Sequence, residues 1–319
     1  MPVALFDLVA IIAAIGLAAI GGEAFLKAII ALANRLQVPN ALVATTIAAF
    51  ATSSPELTVS TMAALSAQPE IGLGDALGSN VVNIALIFGI ALWFGPIRPT
   101  QEDFRGNFKL ALLVPLLTLI LGLDKQLSRG EGVALLLLFA AWIGITIHAA
   151  LQHRHHEYVE RHSLPASRVL APLGLGIFGL GALMLAGRLF VMGATGIAGD
   201  LGIDTYVIGA LVLAIGTSLP ELVTVVLSRL RGHDDIGVGT LIGSNLFNGL
   251  AIVGVAATIH PVTLPLQEIA VTLACGIAAL LHLPPNRSGV IPRQRCLLLF
   301  GIYGIFIWAT LLAGRYPPN

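Results

Sequence analysis

Two glutamates of this 319-residue chain stand inside apolar stretches, where a carboxylate is out of place. Glu56 lies in Thr52-Ser53-Ser54-Pro55-Glu56-Leu57, and Glu221 in Thr217-Ser218-Leu219-Pro220-Glu221-Leu222. Keeping a charged carboxylate in hydrocarbon costs at least about 2.5 kcal/mol, so each needs a partner, an ion or a cavity. A proline directly precedes each glutamate. Proline has no N–H to donate, and its ring clashes with the carbonyl four residues back. Those carbonyls belong to Ala51 and Gly216 and become available as oxygen ligands. Thr52, Ser53, Thr217 and Ser218 add hydroxyls on the same broken turns, where they can also bond back to helix carbonyls.

A second motif follows each first one: Gly78-Ser79-Asn80-Val81-Val82-Asn83 and Gly243-Ser244-Asn245-Leu246-Phe247-Asn248. Ser79 and Asn83, like Ser244 and Asn248, are four residues apart and share a helix face. They offer hydroxyl and amide oxygens. Asn80 and Asn245 fall elsewhere on the helix and are expected to cap or pack. Gly74 with Gly78, and Gly239 with Gly243, form G-x-x-x-G pairs that permit close helix packing.

The resulting donor set contains carboxylates, amide oxygens, hydroxyls and freed carbonyls, with no His or Cys. Such a set suits hard cations. Ca2+ takes six to eight oxygens at about 2.3–2.6 Å. Na+ accepts the same donors, whereas softer metals want sulfur or imidazole. Two carboxylates balance one Ca2+, or can instead meet Na+ ions or protons. A site neutralised by alternative cations is the physical basis of antiport.

The elements that must carry these residues are membrane spans. The chain is 56% hydrophobic and 11% charged, with a mean hydropathy of +0.91. A soluble domain carries about a quarter charged residues. Ten apolar segments run roughly over 5–33, 40–66, 71–95, 107–122, 132–151, 169–198, 205–230, 236–259, 265–283 and 294–314. Both motifs recur at a fixed offset of 165 residues, as do Ile71/Ile236, Gly72/Gly237 and Gly74/Gly239. Five spans separate equivalent points. Five is odd, so the halves enter the membrane in opposite directions, as in the inverted repeats of secondary transporters.

The predicted fold is an all-α membrane protein of ten transmembrane helices in two inverted five-helix repeats, with helices broken at a central ion site. Residues 1–151 form the first repeat, 152–168 a cytoplasmic linker and 169–319 the second repeat. Alternate loops collect the positive charge: Arg35, Arg98, Arg105, Lys109, Arg154, Arg161, Arg168, Arg229, Arg231, Arg287, Arg293 and Arg295 in one set, against Lys125, Arg129 and Arg315 in the other. By the positive-inside rule this fits both termini outside a cell (inner) membrane. The N-terminus lacks a basic n-region and a cleavage motif, and reads as the first span.

These motifs resemble the two alpha repeats of the calcium/cation antiporter superfamily, most closely its prokaryotic-type sodium/calcium exchanger branch. The usual form there is G-T-S-x-P-E in one span and G-S-N-x-x-N/D in the next. The resemblance covers essentially the whole chain. It implies that Glu56 and Glu221 bind Ca2+ with Thr52 and Thr217. It implies that Ser53, Ser79, Ser218 and Ser244, with the carbonyls of Ala49 and Ala214, serve flanking Na+ sites. Asn83 and Asn248 would line the middle. The second, third, seventh and eighth spans would enclose the ions while the first and sixth slide to alternate access. Two departures stand out. Ala51 replaces the usual glycine that Gly216 keeps, and some relatives carry aspartate where Asn248 stands. The proton/calcium branch has a G-N-x-x-E-H type motif. Here Gly78-Ser79-Asn80 occupies that stretch without Glu or His, which favours Na+ over H+ as counter-ion.

The rest of the sequence excludes more than it adds. Zero net charge leaves no nucleic-acid footprint. Cys275 and Cys296 lack metal-type spacing. No nucleophile–base pair, zinc motif or paired-aspartate motif marks an enzyme. A passive channel is disfavoured by the broken inverted repeats. The expected partners are the lipid bilayer and inorganic cations, with no cofactor and no obligate protein partner. The segment holding His153, His155, His156 and His162 is expected to be a solvated linker. Glu23 is expected to pair along its helix with Lys27, or to meet Arg188 at its repeat position. Asp103 and Glu268, also 165 apart, are expected at the membrane interface.

Overall fold

The computed structural model describes residues 5–36, 38–67, 69–99, 101–157, 167–200, 214–264 and 266–315. Among these the chain is almost wholly helical. The helices are α1 (Leu5–Leu36), α2 (Asn40–Thr52), α3 (Ser54–Leu65), α4 (Pro69–Trp93), α5 (Gln101–Leu121), α6 (Arg129–Glu157), α7 (Ser167–Asp200), α8 (Ala214–Thr217), α9 (Leu219–Leu230), α10 (Asp234–Ile259), α11 (Leu266–Leu280) and α12 (Arg295–Arg315). Seven described helices are long and apolar enough to cross a membrane: α1, α4, α5, α6, α7, α10 and α12.

The described part of each apolar segment read from the sequence falls mainly on helix, but not always on one unbroken rod. The 40–66 segment is split between α2 and α3. The 205–230 segment is described only from Ala214 and is split between α8 and α9. The proline after each break explains both interruptions, because no i→i−4 bond can form there. The linker differs from expectation at its margins. Helix α6 continues to Glu157 and α7 begins at Ser167, so only residues 158–166, with His162, remain between them and lie outside the described residues. The side chains of His153, His155, His156, Asp103 and Glu268 are also outside the description.

Burial sorts the helices into an inner and an outer layer. The apolar windows of α4 and α10 are 78% and 83% buried, whereas those of α5, α6, α7 and α12 are 22%, 17%, 22% and 22%. The outer helices turn large apolar side chains outward, among them Leu137, Ile145, Ile177 and Trp308. In lipid that exposure carries no hydrophobic cost. The inner pair instead buries Ser79, Asn83, Ser244, Asn245 and Asn248 alongside Val81, Ile84, Leu246 and Leu250.

Small residues set the close approaches. A Cβ on Gly21 would meet the Gly179 carbonyl, and one on Gly193 the Asp7 carbonyl, so α1 and α7 run antiparallel with backbones nearly touching. A Cβ on Gly243 would strike the Thr45 carbonyl, and one on Gly239 would sit 2.8 Å from the Ala41 carbonyl. The expected packing role of this glycine pair therefore holds for α10 against α2. For Gly74 and Gly78, the residues that the same offset would bring opposite (206, 209 and 210) lie outside the description.

The offset also reaches the loops. Ile97 pairs with Ile291 in an isolated antiparallel bridge. Strand β1 (Gln126–Leu127) pairs with β2 (Val262–Thr263). Moving the first pairing by 165 residues lands on the second to within one residue.

Candidate ion-binding site

The two helix breaks face each other and exchange hydrogen bonds. Ser53 in the first break has φ −85° and ψ 10°, and Ser218 in the second has φ −82° and ψ 10°. Ser53 Oγ donates to Glu221 Oε1 at 3.1 Å, and Ser218 Oγ donates to Glu56 Oε1 at 3.3 Å. Each break thus holds the carboxylate of the other. Glu56 and Glu221 are buried, with 1% and 0% exposure, and both belong to one central cluster.

The inner helices complete the walls. Ser244 Oγ donates to Glu221 Oε1 at 3.2 Å and lies 3.5 Å from Thr52 Oγ1. Thr52 and Thr217 also bond back to the Ala49 and Ala214 carbonyls, each at 3.3 Å. The same two carbonyls accept the backbone N–H of Ser53 and of Ser218. A carbonyl oxygen has two lone pairs and both are used here, so an ion meeting Ala49 or Ala214 would take the place of the threonine hydroxyl.

Asn83 and Asn248 occupy π-helical turns, Val82–Ile87 and Phe247–Ile252, at matching places in α4 and α10. Such wide turns recur at functional sites, because they re-aim side chains and loosen the carbonyl ladder. Asn83 Nδ2 donates to Asn245 Oδ1 at 3.2 Å, leaving its own Oδ1 without a partner among the described residues. Both amide atoms of Asn248 likewise have no partner among the described residues. Asn80 and Asn245 face the opposite inner helix: Asn80 Nδ2 donates to the Asn245 carbonyl and Asn245 Nδ2 to the Asn80 carbonyl, each at 3.3 Å. They pack, as expected, by clasping α4 to α10.

The structure joins Thr52, Ser53, Glu56, Ser218, Glu221 and Ser244 by hydrogen bonds at the two breaks, and carries Ser79, Asn83 and Asn248 on the inner helices packed against them. Glu56 Oε2, Glu221 Oε2, Ser79 Oγ, Asn83 Oδ1 and Asn248 Oδ1 are buried oxygens without a partner among the described residues. Burying so many bare acceptors is costly unless something cationic meets them. No basic side chain does so among the described residues. The ion pairs there join Lys27 and Arg231 to Glu23, and Arg229 to Asp234. Glu23 thus pairs with Lys27 as expected, and its second partner is Arg231, not Arg188.

Two buried acids escaped the sequence reading, Asp7 on α1 and Asp75 on α4. Asp75 is 7% exposed and accepts from Thr217 Oγ1 at 3.4 Å, while its Oδ2 has no partner among the described residues. The signal was present: Asp75, Ser79 and Asn83 recur every four residues and share one face of α4. At the equivalent place α10 has Thr240, so a search for acids duplicated at the fixed offset passes over it.

The family model of the sodium/calcium exchanger protein matches residues 6–148 and again residues 171–312. The chain belongs to this family. Its relatives include the inner membrane protein YrbG of Escherichia coli (strain K12), 35% identical over 231 residues, covering 70% of this chain and 71% of YrbG. The sodium/calcium exchanger MaX1 of Methanosarcina acetivorans is 26% identical over 295 residues, covering 81% and 84%. Among solved structures, the sodium-calcium exchanger NCX_Mj soaked with Na+ and Sr2+ superposes with a TM-score of 0.80 at 25% identity, over 99% of both chains. This sodium/calcium exchanger family member is therefore a multi-pass membrane protein with the NCX_Mj fold.

Proposed function

We propose that this protein is a secondary-active antiporter that exchanges Ca2+ for Na+ by alternating access. The observation that carries the reading is the crossed pair of hydrogen bonds, Ser53 to Glu221 and Ser218 to Glu56, which joins two carboxylates into one receptacle with no basic partner among the described residues. Two carboxylates neutralise one Ca2+. Released from it, they would each attract Na+, so the two loads compete for the same oxygens. Glu56, Glu221, Thr52 and Thr217 would hold Ca2+. Ser53, Ser79, Ser218 and Ser244, with the carbonyls of Ala49 and Ala214, would complete flanking Na+ sites, and Asn83 and Asn248 would line the middle.

The proposed architecture is ten spans in two inverted repeats, 1–151 and 169–319, joined by residues 152–168, with both termini outside the cell membrane. The antiparallel α1 and α7, the paired family matches and the paired loop bridges support it. In this reading α1 and α7 form the sliding element. They contact the core at several places, among them Gly22 of α1 against Val223 and Leu227 of α9, and Val191 of α7 against Gly216.

The counter-ion is tested in inside-out vesicles containing the protein. Uptake of radioactive Ca2+ should follow an imposed Na+ gradient and ignore a pH gradient of equal size. Uptake that follows only the pH gradient would make the protein a proton/calcium antiporter. Flux without any counter-transport would make it a channel.

A further inference from the structure

We infer that Asp75 is a cation-binding residue that makes the two flanking sites unequal, giving the Thr217 side a full negative charge that the Thr52 side lacks. The starting observation is geometric. Asp75 projects from α4 one turn before Ser79, and its Oδ1 accepts from Thr217 Oγ1 at 3.4 Å. Thr217 Oγ1 in turn lies 3.3 Å from the Ala214 carbonyl. A carboxylate, a hydroxyl and a carbonyl therefore meet at the second break. Asp75 Oδ2, and Ser79 Oγ one turn further along α4, are buried and without a partner among the described residues, the two residues being 7% and 0% exposed.

The opposite flank is built from the residues 165 positions away and carries no acid beyond the shared glutamate pair. There Thr52 lies beside Ser244, and Thr240 stands where Asp75 would. The described carboxylates do not converge on a single point with a third acidic, His or Cys ligand. Asp75 therefore serves a place beside the glutamate pair and does not join it. A small monovalent cation fits that place. One carboxylate balances its charge, and hydroxyl and carbonyl oxygens complete a hard shell. No basic side chain pairs with Asp75 among the described residues.

The bland alternative is a protonated aspartic acid that only hydrogen-bonds Thr217. Asn copies the shape and neutral charge of that acid, so Asp75→Asn separates the two cases. The direct readout is equilibrium binding of radioactive Na+ to the purified full-length protein in detergent, which does not depend on the exchange reading. The parent should bind at least one more Na+ per chain than Asp75→Asn, and Asp75→Glu should restore it. In vesicles, where the test rests on the exchange reading, Asp75→Asn should raise the Na+ concentration for half-maximal Ca2+ exchange by about tenfold, the effect of one lost charged ligand. The Na+ dependence should also become shallower, with a smaller change in Ca2+ affinity. Equal Na+ stoichiometry in parent and Asp75→Asn overturns the inference even if exchange is intact. Retained extra Na+ binding with no Na+-driven Ca2+ flux in the parent overturns the exchange reading and leaves Asp75 as a Na+ ligand.

Discussion

The two halves share one sequence motif yet are built unequally around it. In both, a serine at the helix break reaches across to the other half's glutamate. In both, a threonine bonds back to the carbonyl of Ala49 or Ala214. The differences lie one layer out. The second break has Gly216, where a Cβ would collide with Val191 of α7. The first has Ala51, half-buried against the α1 cluster of Phe25 and Leu26. The first inner helix carries Asp75 and the second Thr240. Asn83 is tied to Asn245, while neither amide atom of Asn248 has a partner among the described residues. Residues proposed to meet the ion are thus duplicated, and residues that set charge, packing and freedom around them have diverged. On the proposed exchange, a site that accepts unlike loads has reason to keep its centre symmetric and its flanks distinct.

That comparison can be broken at its centre first. Glu56→Gln and Glu221→Gln should each abolish Ca2+ exchange, lowering flux by at least about a hundredfold, as loss of about 2.7 kcal/mol or more of charge–ion binding requires. Both variants should still insert and run as the parent on a sizing column. If one variant keeps near-normal flux, the halves do not contribute equally and the shared receptacle is wrong.

The asymmetry of the asparagines comes next. Asn248→Asp adds a carboxylate where no hydrogen bond is broken, so it should shift the preference between Ca2+ and Na+ severalfold with little change in thermal stability. Asn83→Asp removes the N–H donors that reach Asn245 and turns two acceptors on each other, so it should lower the melting temperature in detergent as well. Equal melting shifts for the two would show that the Asn83–Asn245 bond carries no weight.

Backbone packing gives a smaller, one-sided effect. Gly216→Ala forces a Cβ into Val191 and should destabilise by about 1–3 kcal/mol, the usual range for overpacking. The mirror change, Ala51→Gly, removes a methyl and should cost only about 0.5–1 kcal/mol. Denaturant or thermal unfolding in detergent ranks them, and a reversed order would contradict the packing difference.

The asparagine clasp predicts the smallest effects. Asn245→Ala loses its bonds to the Asn80 carbonyl and Asn83, while Asn80→Ala loses one. At about 0.6 kcal/mol for an average interhelical bond in a membrane, Asn245→Ala should be roughly twice as costly.

How much of this was legible in the sequence follows from what repeats. Glu56 and Glu221, the prolines that break their helices and the serine–asparagine faces all appear twice at one offset. Duplication is a signal that single residues lack. The offset even anticipates the loop bridges Ile97–Ile291 and Leu127–Val262. Features present once were hidden. Asp75 has no acidic counterpart and was passed over despite its place on the Ser79–Asn83 face. The Glu23–Arg231 pair joins residues 208 apart and follows from how α1 crosses the end of α9, which no repeat arithmetic supplies. The π-helical turns at Asn83 and Asn248 leave no mark in residue type, because they answer to packing between α4 and α10.

The most direct test is the stoichiometry of radioactive Ca2+ binding to the purified protein, with and without Na+. One Ca2+ per chain, displaced by Na+ and lost in either Glu56→Gln or Glu221→Gln alone, is the expected result. Ca2+ binding that survives removal of one glutamate undiminished would mean that the two carboxylates do not share an ion.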